Sequence, residues 1–475
     1  MNPEKRARRE SFRVIVSEII MVITVAITVL ILAFVVSGYW LNADFTVERQ
    51  GMLQISSIPT GADVKVDGES SWLQRTNTSK ILSAGQHEVV LEKEDYGPWS
   101  KTVSIKEGLL YRIHYPRLFL TDRTREEIYD TTATKFAVAS PDNNLILLIG
   151  GTAKWSLVRL NSDKLKAETL DVSQLLSPET LEGTVATAKW DRSGEHVLIE
   201  FETDNSSEWA LLDIRNISSS TNLTREFGVE FDDIKIFGDS ANSLLTLSAG
   251  NLQRIDVPSR QISAVLADGV VNFDYYGPEI IFSTKNASSA TKNPESSDSA
   301  GAPVVSDEYA IFILRNENLE KVATTKSAAL PAIFRFYDDN LIAVLCENQI
   351  TLYGKSSLEE TITKTLGFAP TSMKISGDGS FIVMSNGTSG EKIATLDMET
   401  AEIVNWSTST AKYDWLDWGM IYAVKDGNLT VYDYDGLNRR TLSSNVSSKF
   451  PVVITADKWL YYFSDNQLVR EVIAK

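Results

Sequence analysis

The segment SMKISGDGSFIVMS, residues 372–385, places an apolar strand, a Ser-Gly-Asp-Gly turn and a second apolar strand next to one another. Glycine and aspartate favour the tight backbone of a hairpin, so the segment predicts two antiparallel strands. A third apolar run, KIATLDM at residues 392–398, follows almost at once. This arrangement is typical of one antiparallel sheet with short connections.

Seven further segments share this order of apolar strand, turn rich in Asp, Asn or Gly, and apolar strand. They are KFAVASPDNNLILLIG from Lys135, ATAKWDRSGEHVLIEF from Ala186, DDIKIFGDSANSLLTL from Asp232, VVNFDYYGPEIIFST from Val270, AIFRFYDDNLIAVLC from Ala332, AKYDWLDWGMIYAV from Ala411 and PVVITADKWLYYFS from Pro451. The last four repeats start at intervals of 40, 39 and 40 residues. Four strands in about 40 residues are the signature of a β-propeller blade. The sequence therefore predicts an all-β ectodomain with an eight-bladed β-propeller over residues 119–475. Seven blades are the alternative, because the first repeats are irregular.

The last repeat has only three apparent strands before the sequence ends. A ring of sheets needs a fourth strand there, and the segment that precedes the first repeat is the natural source. We expect this closing strand near Arg117 to Thr121 or near Glu126 to Tyr129.

One insertion interrupts the period. Residues 286–307, NASSATKNPESSDSAGAPVVSD, are rich in Ser, Ala, Asn and Pro and offer little to bury, which predicts a flexible loop. Without these 22 residues, the 62-residue spacing between Val270 and Ala332 becomes 40, in line with the other repeats.

The turns SPDNN, DRSGE and SGDGS resemble the Ser-Pro-Asp-Gly repeat of TolB-like and WD-type propellers. Asp433-Tyr434-Asp435-Gly436, ahead of the strand-like Arg440-Thr441-Leu442, is similar. The resemblance covers most of residues 119–475. It implies a rigid ring whose loops carry binding functions.

A run without charges, IIMVITVAITVLILAFVVSGYW, occupies residues 19–40. Its length matches a hydrocarbon core of about 30 Å, so it predicts a transmembrane helix, with Tyr39 and Trp40 at the interface. Five Lys/Arg in the basic tail at residues 1–18 place the N-terminus in the cytoplasm by the positive-inside rule. The alternative is a cleaved signal peptide, whose apolar core is usually shorter.

Residues 50–118 switch to a period of two, which predicts a small β domain beside the membrane. Val64 and Val66 alternate with polar residues and precede an Asp67-Gly68 turn, and HEVVLEKE and TVSI predict later strands. SIPTGADVKVDG, residues 57–68, resembles the signature of PEGA domains, and GQHEV from Gly85 resembles their next strand. The resemblance implies a non-catalytic spacer in a bacterial surface or envelope protein.

The formal net charge is −17, and the ectodomain is more acidic than the whole chain because residues 1–40 are basic. Such a surface repels phosphate backbones, which argues against nucleic acid and suits cationic partners or divalent ions. The single cysteine, Cys346, lies in the apolar run LIAVLCENQI and predicts a buried strand residue rather than a nucleophile.

Catalytic patterns are weak throughout the chain. The three histidines are His87, His114 and His196, and no G-x-S-x-G elbow accompanies them. No Cys-x-x-Cys pair, EF-hand loop or P-loop occurs, so we expect no enzyme and no cofactor. The Asp-rich turns predict hairpins that satisfy their own backbone, with Ca²⁺ binding as the less favoured alternative.

Three tryptophans are candidates for a binding face, namely Trp415, Trp418 and Trp459, although packing between blades is the more common role of such side chains. The resulting hypothesis is a single-pass, membrane-anchored, non-catalytic envelope scaffold that presents a propeller for protein or glycan recognition. A ligand-sensing subunit that acts through a membrane partner is the second hypothesis, and a cryptic hydrolase is the third.

Overall fold

The computed structural model describes residues 3–36, 39–41, 47–160, 166–203, 206–285, 308–387, 392–407 and 413–475. The chain divides into two compact units, Met1–Thr121 and Asp122–Lys475. The expected flexible insertion at residues 286–307 lies outside the described residues.

Helix α1 spans Pro3–Val36 and contains the apolar window Val16–Ala33, whose mean hydropathy is 2.6 and whose side chains are not buried in the protein. By length and composition this helix is able to cross a membrane. The predicted helix over residues 19–40 is too long at its end, because Tyr39–Leu41 forms strand β1. Gly38 disfavours continuation of a helix, and β1 instead pairs its backbone with strand β2, Val47–Ile55.

The first unit continues as two four-stranded sheets. Its remaining strands are β3 Asp63–Val66, β4 Glu69–Arg75, β5 Thr78–Ser83, β6 Gly85–Glu92, β7 Trp99–Ile105 and β8 Leu110–Ile113. In the first sheet, β2 pairs with β1 and β5 in antiparallel fashion and with β8 in parallel fashion; the second sheet has the order β4-β3-β6-β7. The predicted strands around Val64, Val89 and Val103 are β3, β6 and β7.

The two sheets pack face to face as a small β-sandwich. Leu53 and Ile55 of β2 are completely buried, as is Leu91 of β6. Gly51 sits where a Cβ atom would lie 2.5 Å from Cγ2 of Ile105 on the opposite sheet. The sandwich therefore depends on a glycine at the point of closest approach.

The Pro-Thr-Gly-Ala segment makes the bend between β2 and β3 and is fastened to Thr76. The Ser57 hydroxyl donates to the Pro59 carbonyl at 2.8 Å and lies 2.7 Å from Oγ1 of Thr76, which accepts from the Ala62 amide at 3.0 Å. Gly61 has φ of +78°, a conformation that side chains disfavour, and Ala62 is completely buried. The Pro-Thr-Gly-Ala segment is therefore a hydrogen-bonded bend between the two strands.

His87 holds the adjacent turn. Its Nδ1 lies 2.7 Å from Oδ2 of Asp67 and its Nε2 lies 2.9 Å from the Ser83 carbonyl, so both ring nitrogens face acceptors. Burial alone would lower the pKa of His87, but these two hydrogen bonds outweigh burial and raise the pKa. The geometry suits the protonated imidazolium, which makes this histidine a structural residue.

The described residues of the second unit form eight four-stranded antiparallel sheets, each made of strands consecutive in the chain except the last. Blades 1 to 4 comprise β10 Thr134–Ala139, β11 Leu145–Gly150, β12 Lys154–Arg159 and β13 Lys166–Asp171; β14 Thr184–Trp190, β15 His196–Glu202, β16 Ser207–Asp213 and β17 Thr221–Asn222; β18 Asp233–Ile236, β19 Ser243–Ser248, β20 Asn251–Asp256 and β21 Gln261–Ile262; and β22 Val270–Tyr276, β23 Glu279–Lys285, β24 Tyr309–Arg315 and β25 Asn318–Thr325.

Blades 5 to 8 follow the same plan. They comprise β26 Leu330–Phe336, β27 Asp339–Cys346, β28 Gln349–Gly354 and β29 Glu360–Thr365; β30 Ser372–Ile375, β31 Phe381–Ser385, β32 Lys392–Asp397 and β33 Glu402–Ser407; β34 Tyr413–Trp415, β35 Met420–Lys425, β36 Asn428–Asp433 and β37 Arg440–Ser443; and β38 Val453–Thr455, β39 Trp459–Ser464 and β40 Gln467–Val472, completed by β9 Arg125–Asp130. Short helices α2 Pro178–Glu182 and α3 Leu223–Phe227 and a 3-10 turn at Ile217–Ser219 lie in connections.

Among the described residues, neighbouring blades pack together through apolar side chains at seven seams, and the second strand of a blade can serve two seams. In β15, Val197 and Ile199 pack against blade 1, while Leu198 packs against blade 3, because successive strand residues point to opposite faces. This explains why the second strands are continuous apolar runs. Equivalent clusters join blades 3 to 4, 4 to 5, 5 to 6, 6 to 7 and 8 to 1.

Strand β9, near the start of the second unit, closes the ring by joining the last blade. This strand pairs antiparallel with β40 and completes blade 8 as its outermost strand, which confirms the predicted eight-bladed propeller. Of the two expected closing segments, Glu126 to Tyr129 is correct. The segment from Arg117 to Thr121 is wrong, because its backbone bonds to the sandwich, as in the Thr121 amide donating to the Asp95 carbonyl. The expected boundary after residue 118 therefore moves to Thr121.

A buried ion pair reinforces this closure. Arg123 Nε donates to Oε1 of Glu471 at 2.6 Å, and the two side chains are only 16% and 7% exposed. The same guanidinium donates to the Leu442 carbonyl of blade 7, and the second Glu471 oxygen accepts from Tyr462 at 2.9 Å. Arg123 therefore joins blade 7 to blade 8 just ahead of the closing strand.

Replacing Arg123 with Gln should destabilise the ring by about 3–5 kcal/mol, because the Glu471 carboxylate is left buried and uncompensated. Arg123→Gln combined with Glu471→Gln should recover part of the loss, since no orphan charge remains. Urea unfolding of the full chain, followed by tryptophan fluorescence, measures both. The control is Arg192→Gln, whose pair with Asp239 is 72% and 81% exposed and should contribute about 0–1 kcal/mol. Equal losses of stability in Arg123→Gln and Arg192→Gln would contradict the role of Arg123 in stabilising ring closure.

Candidate functional site

The inner strands of the blades surround a central channel, and in blades 3 to 6 they line two cavities of about 580 Å³ and about 390 Å³. Both cavities are lined by Asp274, Ala332 and Met373. The larger cavity lies where the inner strands begin. The smaller one lies where these strands turn back into the second strands.

The two ends of the channel differ in charge. The larger cavity is lined by a group that we call the acidic mouth, which consists of Asp232, Asp233, Lys235, Asn272 and Asp274. The smaller cavity is lined by Arg192, in the turn after β14, and by Arg335, near the end of β26. These two arginines are paired with Asp239 and Asp338, whereas the acidic mouth has one lysine for three carboxylates, so the larger cavity is the more negative of the two.

Lys235 crosses the seam between blades 3 and 4. Its Nζ lies 3.5 Å from Oδ1 of Asp274, donates to the Phe273 carbonyl, and sits 4.8 Å from the centre of the Phe273 ring. This position lets one ammonium neutralise a carboxylate and cover an aromatic face.

The same arrangement recurs three blades further on. Lys374 of blade 6 lies 3.1 Å from Asp414 and 5.3 Å from the centre of the Tyr413 ring of blade 7, and donates to the Tyr413 carbonyl. The sequence signal is an Ile-Lys-Ile or Met-Lys-Ile segment followed one repeat later by Phe-Asp or Tyr-Asp. The lysine segment and the aromatic-Asp segment are about 40 residues apart, and only the fold brings them together, so sequence reasoning missed this contact.

The carboxyl groups of the acidic mouth are held in an unfavourable environment. Burial raises the pKa of Asp233, and the charges of Lys235 and Lys189 offset burial only in part. Burial likewise raises the pKa of Asp274 despite its contact with Lys235. Half-buried carboxylates whose charge is only partly compensated are suited to accept hydrogen bonds from a hydroxyl, amide or ammonium group of a ligand.

The Asp-rich turns satisfy their own backbone. In blade 1, Asp142 accepts from the Ser140 hydroxyl at 2.5 Å and from the Asn144 amide at 3.1 Å. In blade 6, Asp378 accepts from the Ser376 hydroxyl at 2.7 Å and from the Ser380 amide at 3.0 Å. Among the described residues, no three His, Cys, Asp or Glu side chains converge as a metal site.

The three candidate tryptophans lie at corresponding turns of two neighbouring blades. Trp415 ends β34, Trp418 is in the turn that follows, and Trp459 begins β39. The Trp415 ring stacks on Phe381 of blade 6, with centroids 6.5 Å apart. The Trp459 ring packs below the Arg470 guanidinium at 4.4 Å and against the seam between blades 8 and 1. Packing therefore occupies much of two of these rings, and a binding role for the three stays a prediction.

His196 forms a pair with Asp191, whose side chain is completely buried. Its Nδ1 lies 2.8 Å from Oδ2 of Asp191, and the Ser193 hydroxyl donates to that same oxygen at 2.7 Å. The serine therefore bonds to the carboxylate and not to the imidazole, which is not the order of a nucleophile–base pair. His114 contacts the edge of the Tyr115 ring. Cys346 is half-buried, with its Sγ 3.3 Å from the Ser327 hydroxyl, rather than fully buried as expected.

Comparison with known protein families assigns the residues of the β-sandwich to one domain family. Residues 50–116 match the family model of the PEGA domain, so the first unit contains a PEGA domain. No curated protein matches the sequence.

Three of the solved structures that resemble the chain align with it at low sequence identity. The C-terminal WD40 domain of Sif2 aligns with a TM-score of 0.49 and 13% identity over 74% of this chain and 98% of its own. The computationally designed Ika8 protein aligns at 0.42 and 10%, over 73% and 98%, and oligogalacturonate lyase from Vibrio parahaemolyticus at 0.39 and 11%, over 74% and 98%. At these scores the assignment of blades rests on the sheet order and the seams of the chain itself.

Substituting Asp233 with Asn should stabilise the protein at pH 7. A carboxyl whose pKa is raised by folding opposes folding when it is ionised, and this penalty fades as the pH falls through the raised pKa towards the unfolded value near 3.9. The advantage of Asp233→Asn in thermal midpoint should therefore be largest near neutral pH and should disappear near pH 4. Asp239→Asn, at an 81% exposed carboxylate, is the matched control and should show no such gain. A loss of stability at pH 7 in Asp233→Asn would contradict the burial argument.

Proposed function

We propose that the protein is a membrane-anchored, non-catalytic binding protein of the cell envelope. The propeller fold and the PEGA domain fit a surface or binding role. In the proposal, the apolar helix is the anchor, the basic N-terminal segment lies in the cytoplasm, and both β units lie outside. The PEGA domain acts as a rigid spacer, and the propeller presents the recognition surface for an extracytoplasmic protein or glycan.

The observation that supports recognition is the acidic mouth at the centre of a closed ring. Eight blades fix the inner strands against one another, so the mouth is preorganised and binding orders little additional chain. Its two half-buried carboxyl groups have raised pKa values, so their ionised forms oppose folding, which is a common cost of a site kept ready for a ligand. The potential catalytic groups argue in the same direction, since His87 and His196 are each bonded to a structural aspartate.

A ligand-sensing role through a membrane partner is the second candidate. It is favoured by the same raised pKa values, because a small cationic or hydrogen-bonding ligand would relieve the buried charge on Asp233 and Asp274. A ligand that binds only the folded ring would also stabilise it. Loss of signalling when the anchor is replaced by an unrelated span would favour this candidate over a passive scaffold.

Capture from envelope extracts by the full-length protein in lipid nanodiscs tests the recognition surface. Asp233→Asn with Asp274→Asn should lose the components that the unmodified chain retains, because the two changes remove two of the three negative charges of the acidic mouth. The matched control removes two negative charges near the other end of the channel, Asp239→Asn with Asp338→Asn, and should retain them. Equal retention by all three proteins would reject the mouth as the recognition site.

Protease treatment of spheroplasts tests the placement. Cleavage should release fragments of the propeller into the medium without lysis, while an antibody against the first residues should detect its epitope only after the membrane is opened. A propeller that is fully protected until lysis would refute the proposed orientation.

A further inference from the structure

The outer face of the first sheet of the PEGA domain carries a row of exposed apolar side chains. Met52 of β2 lies directly opposite Ile81 of β5 on one side and opposite Leu110 of β8 on the other. These three side chains are 41%, 51% and 37% exposed. Leu109, which precedes β8, is exposed beside them.

The row is not part of the core of the sandwich. The core side of β2 is supplied by Leu53 and Ile55, which are completely buried, and Met52 points the other way because strand residues alternate. The neighbouring rows of the same outer face are polar, with Gln50 opposite Ser83 and Gln54 opposite Ser79. Scattered exposed apolar residues are normal, but three in cross-strand register form one patch.

Chain geometry keeps this patch close to the end of the apolar helix. Helix α1 ends at Val36, and Tyr39, three residues later, is paired with Arg49 of β2. One strand spacing is about 5 Å, and three residues of chain reach at most about 11 Å, so Arg49 lies within about 16 Å of the helix end. Met52 follows Arg49 by three residues along the same strand.

We propose that this row, Met52, Ile81 and Leu110, rests on the outer surface of the lipid bilayer and inserts its side chains among the headgroups. The inference rests on the proposed membrane anchor and goes beyond it, because an anchor alone leaves the PEGA domain free to point in any direction. The tether holds the patch at high local concentration beside the bilayer, so a small apolar area is sufficient for contact. The contact fixes the angle at which the spacer leaves the membrane.

The test uses the full chain with Cys346→Ser, reconstituted at low protein density in phosphatidylcholine vesicles. An environment-sensitive fluorophore is attached at Ile81→Cys, and lipids that carry a nitroxide near the headgroup serve as the quencher. We expect a blue-shifted emission and at least several-fold stronger quenching at position 81 than at Thr102→Cys. Thr102 is exposed on the outer face of the second sheet, so it is the matched control. Met52→Gln with Leu110→Gln should reduce the quenching at position 81.

A third label at Ala26→Cys, in the apolar helix, measured in vesicles whose lipids carry the nitroxide in the acyl chain, separates the possible failures. If position 26 is quenched by lipid and position 81 is not, the bilayer contact is wrong and the anchor stands. If position 26 is not quenched, the anchor itself is wrong and the inference falls with it. If position 81 is shielded only at high protein density, with crosslinking between copies, a second copy of the chain covers the row and the bilayer contact is again overturned.

Discussion

The pairing of β9 with β40 is the interaction on which the propeller depends. Every other blade is formed by strands consecutive in the chain, so only blade 8 joins the two ends of the ring. Arg123 and Glu471 extend this joint into blade 7 through one buried ion pair. Because the inner strands face a channel rather than a packed centre, the positions of the acidic mouth are fixed only while the ring is closed.

The fold was predictable because its units repeat. The repeated order of apolar strand, turn rich in Asp, Asn or Gly, and apolar strand located the first two strands of all eight blades, and the missing fourth strand of the last repeat indicated closure from the N-terminal side. Sequence did not distinguish Arg117–Thr121 from Glu126–Tyr129, because both segments are short and of mixed polarity. Their backbone partners lie in different units, and only three-dimensional structure reveals partners. Helix α1 was overextended for a related reason, since apolar Tyr39 and Trp40 suit a strand as well as a membrane helix.

The candidate site was much less predictable than the fold. The tryptophans were noticed because of their size, yet Trp415 and Trp459 contribute largely to seams between blades. The acidic mouth combines residues from separate blades, such as Lys235 and Asp274, and each residue alone is an ordinary charged position in a strand. Burial, which raises the pKa of both Asp233 and Asp274, is a property of the assembled ring and has no local signature in the sequence. Recognition of a ligand therefore needs chemistry that only the closed fold brings together.

Closure by β9 also sets an order of events during synthesis. Glu126 and Arg470, which meet across the joint at 2.6 Å, are separated by 344 residues. While the chain is being made, β9 has no partner strand until β40 has been synthesised, and contacts of such long sequence separation form slowly. Synthesis of this protein thus leaves an interval in which β9 is unpaired, and a chaperone that binds unpaired strands would act at that point.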